Sequence, residues 1–238
     1  MAAEAAARVG AGLVTVATRS EHVPIVSGSR PELMCYQVAE ANDLESLLES
    51  ATVVVIGPGL GKSDWAKALL NKVLLTRIPK VLDADGLNLL AENPIYREDW
   101  ILTPHPGEAS RLLNVSCQEI QSDRFEAIRQ LAQRYRGVVV LKGAGTLIKG
   151  KEKEISVCSA GNPGMATGGM GDILSGVIGG LLAQRLSFMM AAQAGVFIHS
   201  LAADRAAEEG GERGLLATDL FPHLRALVNV NPSGSKYF

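Results

Sequence analysis

The sequence predicts an α/β protein: a mostly parallel central sheet flanked by helices on both faces, with an edge hairpin and a helical C-terminal third. Three observations carry this. Short, unbroken β-branched or apolar runs alternate with amphipathic helical patterns as far as Leu141, and such runs mark strands covered on both faces. Two runs then flank the turn Gly150-Lys151, the pattern of an antiparallel hairpin. After Asp172 the pattern is helical throughout.

In chain order, MAAEAAARVGAG reads as the end of an alanine-rich helix stopping at Gly10-Ala11-Gly12, and suggests that an element precedes residue 1. Strands are expected at Leu13–Ala17, Val53–Ile56, Lys80–Leu82, Trp100–Leu102 and Val138–Leu141. Helices are expected at Asp43–Ser50, Asp64–Thr76, Gly107–Leu113 and Asp123–Tyr135. Strand–helix repetition at that spacing implies right-handed crossovers between parallel strands. The hairpin strands are Gly145–Lys149 and Glu154–Cys158; the closing helices are Asp172–Gln184, Ser187–Glu208 and Thr218–Val228. The Pro/Ser/Gly tail from Asn231 reads as mobile.

At 238 residues the chain is expected to form one domain, residues 1–238. A net charge of −2 with scattered basic residues gives no pull toward nucleic acid or a membrane surface. Three widely spaced cysteines match no metal spacing and, with no recognisable leader, point to a reducing, cytoplasmic setting. The longest apolar stretch, Phe188–Ala203, is interrupted by Gln193 and His199 and is too short for a membrane span.

Five strings carry chemistry. IGPGLGKSD (56–64) ends a buried strand; Gly57, Gly59 and Gly61 fit neither a P-loop nor a GxGxxG fingerprint, so it reads as a tight turn close to a ligand or simply as a tight turn. In VLDADGLNLL (81–90), Asp83 sits at a strand's carboxyl end, where open α/β sheets place ligands. Asp85 reads as a second such carboxylate or as the N-cap of a following helix. In LTPHPGEASRLL (102–113), two prolines extend the backbone around His105 and put Glu108 in a first helical turn. His105 reads as a ligand contact or an exposed loop residue, and Glu108 as a dipole partner or as the group that orders a metal-bound water. In VVVLKGAGTLI (138–148), Lys142 precedes Gly143 and Gly145, a plausible phosphate contact or an ordinary turn.

The fifth string weighs most. AGNPGMATGGMGDILSGVIGGLLA has glycines at 161, 164, 168, 169 and 171 just before an apolar helix whose inner face carries Ile173, Leu174, Val177, Ile178, Leu181 and Leu182. Successive bare N–H groups at a helix N-terminus make an anion hole. A carboxylate there, Asp172, repels phosphate but suits a base that deprotonates a hydroxyl attacking it. His22 and His223 read as surface or near-cap positions, and His199 as packing.

Together GAGLVTVAT, GPGLG, LDADGLN, LTPHPGE, LKGAGT, AGNPGMATGGMGD and GLLATDL, spanning Gly10 to Leu220, resemble the ribokinase-like superfamily and, within it, the NAD(P)H-hydrate dehydratase family. GGMGD stands where the superfamily has a GTGD-type anion hole, and HPGE where it has NxxE, with His105 in place of Asn. The family's N-terminal strand and glycine-rich loop are not found ahead of the first helix, so the domain reads as N-terminally truncated. The resemblance implies repair of hydrated NAD(P)H, specifically the S-epimer. A phosphoryl group passes from ADP, or alternatively ATP, to the ring hydroxyl and leaves as phosphate. Asp172 would be the base, and Gly169, Met170 and Gly171 the anion hole. Lys142, Gly143, Ala144, Gly145, Thr146, Asn162, Gly164, Met165, Thr167 and Gly171 would bind ADP or AMP. Gly59, Asp83, His105 and Asp172 would face the hydrated cofactor, and Glu108 would hold Mg²⁺ through water. A homotetramer and functional pairing with an NAD(P)H-hydrate epimerase are also implied. The rival readings are a small-alcohol kinase of the same superfamily, of the hydroxyethylthiazole kinase type, and a nucleotide-binding module without turnover.

Overall fold

In the computed structural model, residues 1–229 are described; the tail expected from Asn231 lies outside them. The chain opens with α1 (Ala2–Arg8), β1 (Thr15–Thr18), α2 (Val23–Ser29) and β2 (Met34–Gln37). It continues with α3 (Glu45–Ser50), β3 (Val54–Ile56), α4 (Asp64–Leu74), β4 (Lys80–Leu82), α5 (Ala84–Glu92) and β5 (Trp100–Leu102). Next come α6 (Pro106–Leu113), α7 (Cys117–Ser122), α8 (Arg124–Tyr135), β6 (Val138–Leu141), β7 (Thr146–Lys149) and β8 (Ser156–Cys158). Three helices follow, α9 (Met170–Ala183), α10 (Phe188–Gly210) and α11 (Leu220–Leu227).

Six strands form the central sheet in the order β3-β4-β5-β6-β7-β8. β3 to β6 are parallel, and β7 and β8 run antiparallel at one edge, as the hairpin reading required. Because side chains alternate along a strand, each strand feeds two cores. Val81, Ile101, Val138 and Val140 join the core under α9, α10 and α11. Leu82, Trp100, Leu102, Val139 and Leu141 join the opposite core with residues of α4, α5, α6 and α8. That two-sided burial is why these strands read as unbroken apolar runs.

The first expected strand behaves differently. β1 starts at Thr15, pairs in parallel only with β2, and forms a separate two-stranded sheet. It is not covered on both faces: Leu13 is 84% exposed and the strand alternates exposed with half-buried residues. The sequence also hides β2, α2 and α7. β2 is four residues of mixed polarity, α2 carries a proline in its first turn and buries nothing, and α7 is six residues long. The expected helix at Asp43–Ser50 divides into a 3₁₀ turn at Ala41–Leu44 and α3.

α9 is buried on nearly every side rather than on one inner face. Its glycines explain how. A Cβ on Gly176 would lie 2.0 Å from the Ala2 carbonyl oxygen, and one on Gly180 would lie 2.6 Å from a Val9 methyl. α1 therefore packs backbone-to-backbone on α9, while Gly179 admits Val55 of β3 on another side. No helix among the described residues is long and apolar enough to cross a membrane.

Candidate active site

The carboxyl ends of β4, β5 and β6 meet the N-terminus of α9. β4 ends into Asp83, which is 1% exposed. The Asp83 backbone occupies the N-cap position of α5, but its side chain makes no capping bond. It faces inward instead. The Lys142 ammonium donates to Asp83 Oδ1 at 2.7 Å, and the Ser175 hydroxyl donates to Oδ2 in a short hydrogen bond. Asp85 is thus not the cap. It lies in the first turn of α5, and its Oδ2 accepts from Gly61 N at 2.9 Å, tying down the GPGLG turn. Gly57, at φ +126°, sits where a Cβ would fall 1.8 Å from the Asp83 carbonyl oxygen, so that turn packs directly on the strand end.

β5 ends into the TPHPGE loop. His105 caps α6: its Nδ1 accepts from Gly107 N at 3.0 Å, and the buried Glu108 carboxylate accepts from His105 N at 2.8 Å. This reciprocal box fixes Glu108 beneath Lys142, whose ammonium lies 3.8 Å from Oε2. The His105 ring is half exposed, with Nε2 3.4 Å from Glu108 Oε1. Burial holds its pKa below the usual imidazole value, and the Lys142 charge adds to the effect. Burial pushes the Glu108 carboxyl up against the opposing pull of Lys142.

β6 ends into Lys142, and a tight loop to β7 follows. Thr146 Oγ1 donates to the Gly143 carbonyl at 3.0 Å and accepts from Gly143 N at 3.3 Å. Gly143 and Gly145 both have positive φ, which L side chains rarely adopt. The Lys142 ammonium is engaged by Asp83 and Glu108, so the loop's backbone, rather than this side chain alone, is what it offers a ligand.

The glycine loop closes the site. Gly169 at φ +90° is the N-cap of α9, so the helix begins with Met170, Gly171 and Asp172, their amides at the open end. A Cβ on Gly171 would lie 3.1 Å from the Lys142 ammonium and 3.5 Å from Asp83 Oδ2, which puts the first turn of α9 against the ion pair. Burial raises the Asp172 carboxyl above its usual range and the Asp83 charge adds to that, while Lys142 opposes it. Upstream, Asn162 Nδ2 and Gly161 N both donate to Asp204 of α10, at 2.9 and 2.8 Å. Gly164 N donates to Asn162 Oδ1 at 3.0 Å, and the Met165 sulfur lies where a Gly161 Cβ would be 2.9 Å away.

Asp83, His105, Glu108, Lys142, Gly171 and Asp172 are therefore brought together. Gly59 and Thr167 lie on neighbouring loops without a direct link to that cluster, and Ala144 is held from α8. Sequence reasoning passed over Ser175, Asp204 and Arg124. Ser175 stands one turn after Gly171, with its hydroxyl oxygen 2.9 Å from the Gly171 carbonyl; a lone hydroxyl on an apolar helix was the available signal. Asp204 is the corresponding acid in the small-residue stretch of α10. His199, read as packing, is buried behind the site, with its pKa pushed down to about 4 by burial.

A family model described as NAD(P)H-hydrate dehydratase matches residues 1–225. The bifunctional NAD(P)H-hydrate repair enzyme Nnr of Coxiella burnetii is 80% identical over 229 residues, 96% of this chain and 47% of that protein. The chain spans about half the length of the curated relatives it matches first. The ADP-dependent (S)-NAD(P)H-hydrate dehydratase of Neisseria meningitidis is 38% identical over 239 residues, 96% of this chain and 79% of that one. Among solved structures, the ADP/ATP-dependent NAD(P)H-hydrate dehydratase of Bacillus subtilis, co-crystallised with ATP/Mg²⁺ and soaked with CoA, superposes with a TM-score of 0.86. It shares 30% identity, over 95% of this chain and 84% of that one. A hydroxyethylthiazole kinase from Pyrococcus horikoshii, at 18% identity and a TM-score of 0.69, shares the ribokinase-like fold alone. With its glycine loop, HPGE turn and KGAGT loop assembled at the carboxyl ends of the central strands and residues 1–225 matched by the family model, the chain belongs to the NAD(P)H-hydrate dehydratase family.

Proposed function

We propose that this chain repairs hydrated NAD(P)H by ADP-dependent dehydration of the S-epimer, giving NAD(P)H, AMP and phosphate. The observation that carries the reading is the first turn of α9. Open backbone amides end there beside a half-buried carboxylate whose pKa is raised by burial. Amides at Gly169, Met170 and Gly171 receive the transferring phosphoryl group. Asp172 takes the proton from the ring hydroxyl as its oxygen bonds to phosphorus and the bond to AMP breaks. Phosphate then leaves with the carbon–oxygen bonding pair, and loss of a ring proton restores the double bond. Lys142, held by Asp83 and Glu108, keeps positive charge beside these events.

In the same reading, the backbone from Lys142 to Thr146 and the turn from Asn162 to Thr167 hold ADP. Gly59 and His105 face the hydrated ring, with Asp83 buried behind them and held by Lys142 and Ser175. Glu108 is buried, with Oε2 accepting from His105 N and Oε1 3.4 Å from the His105 ring, so it fits a magnesium ion through water better than directly. Among the described residues no group of three or more His, Cys, Asp and Glu side chains is placed to hold a metal, which fits an ion carried mainly by phosphates and water. When bound, magnesium would spread the charge of the transferring group. The relatives named bifunctional repair enzymes support functional pairing with an epimerase. Assembly as a homotetramer and a cytoplasmic location belong to this reading too. Met190 and Phe197 on α10, 58% and 51% exposed, support the assembly.

The test is to supply hydrated NADH, Mg²⁺ and ADP and follow recovery of NADH absorbance. Asp172→Asn is expected to lower turnover by about a hundredfold to ten-thousandfold while ADP still binds. An unchanged rate removes Asp172 from this role, and a stable phosphorylated product without NADH recovery marks a kinase instead.

A further inference from the structure

Arg124 is the first residue of α8, where a cation opposes the helix dipole. Its guanidinium lies behind the loop after β6. Nη1 donates to the Ala144 carbonyl at 2.5 Å, and Nη2 to the Leu141 and Lys142 carbonyls at 3.2 and 3.5 Å. Nε is buried with no hydrogen-bond partner. A Cβ on Gly143 would lie 2.9 Å from Nη2, so the loop and the guanidinium are fitted to each other. Burial lowers the guanidinium pKa, and among the described residues no carboxylate offsets it. Among the described residues, this half-buried arginine is bound only by carbonyls and has no counter-ion.

The geometry also fixes a direction. In a trans peptide the N–H points opposite the carbonyl. With the Ala144 carbonyl drawn onto Arg124, the Gly145 N–H is turned to the other side of the loop. We infer that Arg124 is a positioning residue for a nucleoside diphosphate: it aims the Gly145 N–H of the Gly143–Thr146 loop and places behind it a cation that the ligand's phosphates balance. This rests on the reading that the loop binds ADP.

Titration calorimetry with ADP and with adenosine, alongside steady-state kinetics, tests it on Arg124→Ala and Arg124→Gln. Alanine is expected to raise Kd and KM for ADP about tenfold to a hundredfold, with kcat within about twofold and KM for hydrated NADH unchanged. Glutamine keeps two donors and much of the stem but loses the charge, and covers the case in which alanine does not fold. It is expected to weaken ADP more than adenosine. An ADP affinity unchanged in both variants, or a fall in kcat with KM for ADP intact, overturns the inference while leaving the ADP site standing. A wild-type chain that does not bind ADP overturns the site and the inference together.

Discussion

Asp172 has to be ionised to act as a base, yet its surroundings resist ionisation. Burial is the larger reason and the negative Asp83 the second. The sign follows: as pH falls, the raised carboxyl takes up its proton earlier than an ordinary aspartate. The acid limb of kcat/KM against pH is therefore expected above the usual aspartate value of about 3.9. Asp83→Asn removes the like charge and frees Lys142, so the limb should move to lower pH. A limb that stays put in that variant would dissociate it from Asp172. What the sequence disclosed at this scale was the set of groups at strand ends and the helix start, because glycine density and a carboxylate after GGMG leave a mark on the string itself. What it concealed were the partners. Ser175 meets Asp83 across 92 positions and Arg124 meets Ala144 across 20, and no local pattern encodes such a meeting.

Among the elements, α9 joins the chemistry to the core. Its amino end is the proposed anion hole, and its body lies between α1 on one side and β3 and α10 on others. Gly176→Ala places a methyl 2.0 Å from the Ala2 carbonyl oxygen, and backbone cannot yield as a long side chain can. The expected cost is about 1–3 kcal/mol or more, with α1 displaced. Urea denaturation and proteolysis near residue 10 would show it; wild-type stability with α1 still protected would contradict the packing. Most helices and strands with a burial demand were legible within a residue or two, as at Lys80–Leu82, Trp100–Leu102 and Val138–Leu141, though α5 was anticipated only as an unbounded helix after Asp85. β1 was misjudged because its apolar residues look the same whether a second face is covered or open. β2 and α2 carry almost no periodic signal because they bury almost nothing.

Across the whole molecule, the two ends of the sheet have different electrostatic tasks. At the carboxyl ends lies the candidate site; at the amino ends Lys80, with no exposed side chain, pairs with Asp99 at 2.8 Å, and Arg97 joins at 2.7 Å. Burial pushes the Asp99 carboxyl up, but hydrogen bonds from Arg97 and Lys80 prevail and hold it down at about 2. A depressed carboxylate contributes stability that is complete above its unfolded pKa of about 3.9 and is lost as pH falls toward 2. Asp99→Asn should cost roughly 1–3 kcal/mol near neutral pH, moderated because water reaches this aspartate. The gap from wild type should narrow below about pH 4. Thermal melts across that range check it, and a gap independent of pH would rule out the ion cluster as its cause. The enclosure of α9 has one more consequence, for the timing of entropy loss. Amides at Met170 and Gly171 are immobilised when the chain folds, not when a ligand arrives, because the helix that bears them is already fixed on all sides. In the proposed reaction a phosphoryl group would then meet donors with no ordering left to undergo, and its binding free energy would be spared that loss.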